Sequence, residues 1–179
     1  MRLATDAREA GAVEVWDPIV RIFHWTLVAS FFGAFLIERP RDLHEALGYL
    51  ALGAVAVRLV WGVIGTKHAR FADFVTGPRR LIGYVGDVVH SRERRHLGHN
   101  PAGAAMILAL MAMVIVIGAS GWMMGSDAWF GEEWVEGLHE SAVNVTLGLV
   151  ALHVAGVVWE SVRNGENLVR AMITGRKRR

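Results

Sequence analysis

The chain of 179 residues contains no cysteine. This absence excludes a disulfide framework and any metal site built on thiolates. Charged residues are also sparse, at 20% of the chain, whereas 53% of the residues are hydrophobic. The first seventeen residues are rich in charge and lack the apolar core that a cleavable secretion signal needs. The first hypothesis is therefore a membrane protein that enters the bilayer through its later helices.

Four apolar segments are each close to the roughly 20 residues that cross a bilayer as a helix. Seven Trp and twenty Gly fit this interpretation, because Trp favours membrane interfaces and Gly is common in membrane helices. The sequence predicts an all-α fold, an integral membrane four-helix bundle forming a single domain over residues 1–179. The predicted spans are residues 19–37, 46–65, 104–124 and 138–162.

The distribution of Lys and Arg predicts the orientation of this bundle. The loop at residues 66–103 and the C-terminal tail are basic, whereas the loop between the third and fourth spans has four acids and no Lys or Arg. Cytoplasmic loops carry the excess of Lys and Arg. We therefore expect the basic loop and both termini to lie in the cytoplasm. The basic residues are Lys67, Arg70, Arg79, Arg80, Arg92, Arg94 and Arg95 in the loop, and Arg163, Arg170, Arg176, Lys177, Arg178 and Arg179 in the tail.

The cytoplasmic loop carries further helix signals. Pro78 opens an apolar periodicity that predicts a helix at residues 78–90 lying on the inner membrane surface. Asn100 and Pro101 predict the N-cap and first residue of the third span. The basic tail is interpreted as a topology signal with membrane lipid as a secondary contact, and no nucleic-acid partner is expected.

The fourth span carries histidines near both ends, His139 and His153. Fourteen helical residues advance about 21 Å and turn roughly 1400°, close to four full turns. The two imidazoles therefore share one face at two membrane depths. His24 enters the first span at the inner depth, and His44 opens the second span at the outer depth.

These depths sort the four histidines into two pairs, His24 with His153 and His44 with His139. Two haems, each held between helices by two axial imidazoles, are the chemistry that suits this arrangement. A histidine within a span is, taken singly, more often a hydrogen-bonding or cavity-lining residue, but four at matched depths favour iron ligands.

Arg58 is predicted to belong to the same site. It lies fourteen residues after His44 and therefore on the same helix face at the inner depth. An intramembrane Arg normally faces a partner inside the bundle. We expect Arg58 to neutralise a propionate of the inner haem.

Several sequence motifs resemble the bacterial cytochrome b561 family, which includes the b-type cytochrome subunits of nickel-iron hydrogenases. They are WDPIVRIFHW from Trp16, LHEALGY from Leu43, RLVWG from Arg58, GHNPAG from Gly98, and LHE from Leu138 followed by His153. The resemblance covers nearly the whole chain. It implies a four-helix membrane cytochrome with two b haems, whose ligands map to His24, His44, His139 and His153.

The resemblance also implies a function. Family members carry electrons between the quinone pool and a hydrogenase, a periplasmic cytochrome c or another oxidoreductase, and some oxidise superoxide. We expect an electron-transfer protein with quinone or quinol as substrate. Two alternatives stay open: a haem-free transporter or assembly subunit with an intramembrane His and Arg path, and a haem-containing membrane anchor of a dehydrogenase.

The remaining polar residues have weaker assignments. Glu45 and Glu140, beside the outer histidines, either handle protons or are helix-start carboxylates favoured by the helix dipole. His68, His90, His96 and His99 are interpreted as solvated loop histidines, although His99, at the mouth of the third span, is also a candidate propionate contact.

Overall fold

The computed structural model describes residues 12–90, 92 and 96–178. The charged residues before position 12, together with Arg94, Arg95 and Arg179 of the topology argument, lie outside the described residues. The described chain is mostly helical. In chain order its elements are β1 (Ala12–Glu14), α1 (Pro18–Leu36), α2 (Arg41–Ile64), α3 (Phe71–Phe74), α4 (Pro78–Val89), α5 (Pro101–Met124), α6 (Glu133–Arg163), α7 (Leu168–Thr174) and β2 (Arg176–Arg178).

Four helices, α1, α2, α5 and α6, are long and apolar enough to cross a membrane. Each begins before the apolar run that predicted it, by five residues in α2 and α6. The reason is that the first turns of these two helices are polar, as in Arg41 and Glu133, which hydropathy alone does not count as span. The prediction of a four-helix membrane bundle is confirmed as far as the number, length and apolar character of the helices are concerned.

Two of the membrane helices begin with the same cap. The Asp17 Oδ1 accepts a hydrogen bond from the Val20 amide at 2.9 Å, and the Asn100 Oδ1 accepts one from the Gly103 amide at 2.7 Å. A proline follows each cap, because the first helical residue needs no amide proton. The predicted cap at Asn100 is confirmed, and the equivalent cap at Asp17 was not predicted.

The helices pack as two antiparallel pairs. α1 packs along α2, and α5 packs along α6, while α2 also contacts α5. Gly118 permits the contact between pairs, because a Cβ there would lie 2.5 Å from the Leu52 side chain. α6 packs along α5 but has little backbone contact with α1 or α2. A gap therefore remains along one side of α6.

A short sheet that the sequence did not predict joins the two ends of the chain. β1 and β2 pair antiparallel, with Val13 opposite Lys177. Gly175, which ends α7 with a positive φ of 81°, precedes β2 and packs on Trp16, where a Cβ would lie 2.6 Å from the Trp16 carbonyl oxygen. Both ends of the described chain thus lie at the same end of the bundle.

α4 has two apolar faces instead of the single face that its sequence suggested. Tyr84 is buried against the protein, whereas Ile82 and Val89 are 72% and 74% exposed. Residues three and seven positions apart share a face of a helix, so Ile82, Val85 and Val89 form a separate exposed stripe.

Asp17 ties the start of α1 to the end of α2. Its Oδ2 accepts hydrogen bonds from the Trp61 Nε1 at 2.9 Å and the Thr66 Oγ1 at 2.6 Å. Burial alone would raise the pKa of Asp17, but the bonds from Thr66, Trp61 and Val20 outweigh it and hold the pKa below its usual value. The ionised carboxylate is therefore the stabilising form.

Asp17→Ala should lower the free energy of unfolding by about 2 kcal/mol, since it removes a helix cap and leaves two buried donors without an acceptor. The Asp17 contribution is fully present above the unfolded pKa, about 3.9, and is lost as the pH falls through the lower folded pKa. Thermal unfolding in detergent at pH 7 and at acid pH measures both effects. Asp73→Ala, at a more exposed carboxylate of α3, is the control, and equal unfolding midpoints for the two variants would contradict the assignment.

Candidate functional site

The structure brings the four span histidines together in the two pairs that the depth argument predicted. The His24 ring on α1 faces the His153 ring on α6, with centroids 6.5 Å apart. The His44 ring on α2 faces the His139 ring on α6, with centroids 6.3 Å apart. Both pairs lie across the gap that separates α6 from α1 and α2.

Backbone carbonyls hold His44 and His139 in one orientation. The His44 Nδ1 lies 3.0 Å from the Ala34 carbonyl oxygen, and the His139 Nδ1 lies 3.0 Å from the Ile117 carbonyl oxygen. A carbonyl oxygen can only accept, so both Nδ1 atoms carry the proton. The Nε2 atom of each ring is thereby left as the free base, the form in which imidazole binds a metal.

Gly121 leaves room for this orientation. A Cβ at Gly121 would lie 3.3 Å from the His139 Cε1, and the Ser120 Oγ lies 3.1 Å from the His139 Nδ1 on the same side. The small residues of α5 therefore fix where the His139 ring can lie.

The spacing of the pairs fits one metal ion between each. An imidazole–metal bond is roughly 2 Å long, and with about 1 Å from nitrogen to ring centre, two imidazoles on one ion have centroids roughly 6 Å apart. Within the described residues no group of three or more His, Asp or Glu could hold a metal ion. An ion between two imidazoles would therefore need a group that brings its own equatorial donors, as a porphyrin does.

Two further observations favour a flat group in the gap. The His24 Nδ1 is buried and has no hydrogen-bond partner in the described structure, and such a nitrogen is costly unless a ligand satisfies it. Between the pairs, Thr146 lies seven residues from each α6 histidine, and its buried hydroxyl donates to the Ala142 carbonyl at 2.7 Å. Midway between the two histidines α6 thus carries a small side chain whose hydroxyl is satisfied within the helix.

Arg58 is buried in the second half of α2, with 2% of its surface exposed. Its Nη2 donates to the Ala69 carbonyl at 2.9 Å, and its guanidinium lies over the Phe71 ring, 4.8 Å from the centroid. Gly62 makes room for this ring, because a Cβ there would collide with it. The Arg58 Nη1 is buried without a hydrogen-bond partner among the described residues.

His99 lies in the same region and is not a solvated loop residue. Its ring packs between Trp16, at 4.4 Å, and Phe74, at 4.6 Å between centroids, and its Nδ1 is buried without a partner in the described part of the chain. Burial, followed by the positive charges of Arg58 and Lys177, lowers the pKa of His99 to about 3. His99 is therefore neutral at physiological pH. In the sequence, the position of His99 directly before the Asn100 cap is the feature that indicates a place against the helix bundle and not in a solvated loop.

A hydrogen-bond network around Glu160 was missed at the sequence level. The Glu160 Oε1 accepts from the Tyr84 hydroxyl at 2.8 Å and from the Asn100 Nδ2 at 2.7 Å, while Oε2 accepts from the Asn164 Nδ2 at 2.7 Å. These bonds join α4, the start of α5 and the end of α6. Glu160 lies seven residues after His153, so the periodicity that identified the histidines also identifies Glu160.

Glu45 and Glu140, the carboxylates beside His44 and His139, have different surroundings. Glu45 forms an ion pair with Arg41 at 2.6 Å, four residues away on α2, and Glu140 is exposed. Glu45 and Arg41 line a cavity of about 410 Å³ together with Tyr49, Trp122 and Ser126. This cavity adjoins Gly121 and therefore the His139 ring.

A multi-pass helical bundle with imidazole pairs facing across an internal gap defines a class, the membrane proteins that hold a prosthetic group between their helices. The family described as prokaryotic cytochrome b561 matches residues 15–175 of the chain. The chain belongs to this family, and the resemblance seen in the sequence is confirmed. It is accordingly a multi-pass membrane b-type cytochrome with haem b as cofactor and electron transfer as its activity.

Three relatives are each described as a probable Ni/Fe-hydrogenase B-type cytochrome subunit. The protein of Rhizobium leguminosarum bv. viciae is 24% identical over 98% of this chain and 95% of its own length. That of Azotobacter vinelandii is 26% identical over 94% and 89%, and that of Bradyrhizobium diazoefficiens is 24% identical over 92% and 85%. The similarity therefore extends over whole chains and favours the haem interpretation over a haem-free transporter.

Gly121→Val should reduce the amount of haem b bound per polypeptide, because the added methyl groups would push the His139 ring out of line with His44. Gly156→Val is the matched control on α6, where nothing lies within 4 Å of an added Cβ. The pyridine haemochrome of each purified variant gives the haem content. Equal haem contents in the two variants would show that Gly121 does not set the position of His139.

Proposed function

We propose that this protein is a di-haem b-type cytochrome that carries electrons across the bacterial inner membrane, between the quinone pool and a redox partner. The observation that carries the proposal is the pair of facing imidazole sets, His24 with His153 and His44 with His139, at two depths along α6. Fourteen residues of helix separate the two α6 histidines by about 21 Å. That distance suits one haem in each half of the membrane.

The orientation follows from charge. Of the described residues, Lys and Arg concentrate in the loop after α2 and in the tail after α6, whereas the loop between α5 and α6 is acidic. By the positive-inside rule the basic end is cytoplasmic. His24 and His153 then form the inner pair, His44 and His139 form the outer pair, and both termini lie in the cytoplasm.

The geometry of the histidines suits electron transfer. Haem b, when bound, supplies an iron that accepts and returns one electron. Imidazoles on both faces would fill both axial positions and leave none for oxygen or a substrate. The carbonyls of Ala34 and Ile117 hold the His44 and His139 rings in one orientation, so that these rings need not turn when the charge of the bound group changes.

Arg58 supplies a counter-charge at the inner site. A buried guanidinium with a free Nη1 requires an acceptor, and a haem propionate is a carboxylate of the kind that Arg binds strongly. Arg58 lies on the His44 face of α2, fourteen residues further toward the cytoplasm, and therefore at the level of the inner pair.

A groove at the inner end supports a quinone site. Arg21, Ile22, Trp25, Thr26 and Ile173 line about 410 Å³ of space there. Ile22 is 66% exposed, so the groove opens toward the lipid, and the Trp25 ring lies edge-on to His24 with centroids 4.9 Å apart. A lipid-soluble quinone could enter this groove, where the Trp25 ring would separate it from His24.

The partner is proposed at the outer end. The relatives are described as subunits of Ni/Fe hydrogenase, which favours a hydrogenase-type oxidoreductase, anchored by this chain, over a periplasmic cytochrome c. The outer loop carries acidic side chains, and its aromatic residues include Phe130, which is 72% exposed. Trp129 and Trp134 pack edge-on at 5.4 Å and give this loop a fixed surface.

Purified protein should contain two haem b per polypeptide, as measured by the pyridine haemochrome. His24→Ala and His44→Ala should each remove close to one equivalent, because each removes one ligand from a different pair. His90→Ala, at an exposed histidine whose Nδ1 bonds to the Gly86 carbonyl, should keep both. A ratio near one in the unmodified protein, or loss of the same haem in both ligand variants, would refute the two-pair assignment.

Arg58→Leu should lower the midpoint potential of the inner haem, since loss of the cation favours the ferric state, and should leave the outer haem unchanged. A potentiometric titration that resolves the two haems by their optical spectra measures the shift. Arg41→Leu, at an exposed arginine near the outer end of the same helix, is the control. An unchanged midpoint potential of the inner haem in Arg58→Leu would show that Arg58 does not belong to the inner haem site.

A further inference from the structure

Two buried nitrogens at the inner end of the bundle share a neighbour. The Arg58 guanidinium carbon lies 5.8 Å from the Phe74 ring centroid, and the His99 ring centroid lies 4.6 Å from the same centroid. The Arg58 Nη1 and the His99 Nδ1 are both buried, and neither has a hydrogen-bond partner among the described residues. Two buried, unsatisfied nitrogens on side chains that pack against the same phenylalanine indicate a missing acceptor.

The aromatic surroundings of Arg58 and His99 make it costly for their nitrogens to lack an acceptor. Trp16 and Phe74 both contact the His99 ring, and Phe71 lies against the Arg58 guanidinium. A polar group enclosed by aromatic rings loses its hydration without recovering it elsewhere. A carboxylate between the two side chains would satisfy both, because each of its oxygens accepts hydrogen bonds.

Two described carboxylates at this end of the bundle, Asp17 and Glu160, are already engaged in other hydrogen bonds. Asp17 accepts bonds from Val20, Trp61 and Thr66, and Glu160 accepts bonds from the side chains of three other residues. Neither bonds to Arg58 or to His99 in the described structure. Among the described residues neither of these carboxylates is the acceptor, and this favours a bound group.

We propose that Arg58 and His99 together bind one carboxylate, and that this carboxylate is a propionate of the inner haem. The proposal rests on the two-haem function above and adds His99 to the inner site as a hydrogen-bond donor. The neutral His99 ring carries one ring N–H. With that proton on Nδ1, the ring donates one bond to the propionate while Arg58 supplies the positive charge.

The C-terminal tail holds His99 in this position. The Val15 and Trp16 amides donate to the Gly175 carbonyl at 2.8 and 3.0 Å, and the Lys177 Nζ donates to the His96 carbonyl at 3.4 Å. Trp16, fixed in this way, packs on the face of His99. The pairing of β1 with β2 therefore acts on the inner site through Trp16.

The test compares haem b with its dimethyl ester, in which both propionates are neutral. Unmodified protein and His99→Phe are each reconstituted with either haem, and the inner-haem midpoint potential is measured. Phe keeps the stacking on Trp16 and Phe74 but removes the donor. With haem b, His99→Phe should lower the equilibrium constant for reduction of the inner haem about threefold. At about 59 mV per tenfold change for one electron, this is a fall of roughly 30 mV in the midpoint potential.

With the dimethyl ester the same substitution should leave the inner potential unchanged, because the group that His99 binds is gone. His99→Gln, which restores a donor, should recover part of the shift with haem b. His90→Phe, at the exposed histidine, should shift neither potential.

Equal shifts with haem b and with the ester would overturn the proposal, since His99 would then act on the haem without the propionate. If His99→Phe does not assemble, a titration of unmodified protein with each haem decides the same question. Stronger binding of haem b than of the ester, with the preference reduced in His99→Gln or Arg58→Leu, supports the carboxylate site, and equal affinities refute it. A protein that binds no haem would instead refute the proposed function.

Discussion

The architecture depends on the fourteen-residue spacing of His139 and His153 along α6. Because this spacing is close to four helical turns, one helix presents two imidazoles on one face at two depths. Each needs a partner from another helix at the same depth, which sets the relative heights of α1 and α2. In the proposed function α6 must also stay apart from both, because the backbones of two helices cannot pack closely where their imidazoles bind one ion. The open side of the bundle is thus what the proposed histidine pairing requires.

The paired histidines could be predicted from the sequence because membrane depth is one-dimensional. A residue's distance from the end of its span fixes its depth, so His24 and His153 could be matched without knowing how the helices pack. The family resemblance came from the same residues. The boundaries were less accurate, because polar first turns such as that beginning at Arg41 are helical but do not count toward an apolar run.

The inner end was harder to predict because its contacts come from segments far apart in the chain. His99 is enclosed by Trp16 and Phe74, which lie 83 and 25 positions away in the sequence numbering, and no periodic pattern relates these residues. The antiparallel pairing of β1 with β2 joins the two ends of the chain through three residues each, too few to produce a strand signal. Glu160 shares the His153 face, but its partners Tyr84 and Asn100 come from a loop helix and a cap.

The two ends of the bundle use different means to place an imidazole pair. At the outer end, carbonyls of α1 and α5 accept hydrogen bonds from the Nδ1 atoms of His44 and His139. Neutral backbone groups therefore set the orientation of these two rings. At the inner end, the His24 Nδ1 has no such acceptor in the described structure, and a buried cation, Arg58, lies nearby instead. A nearby positive charge favours the reduced state of a bound iron, whereas a hydrogen bond from Nδ1 to a carbonyl makes the imidazole a stronger donor and favours the oxidised state. Within the proposed function, the side chains at the two ends of the bundle would therefore act on the potentials of the two sites in opposite directions.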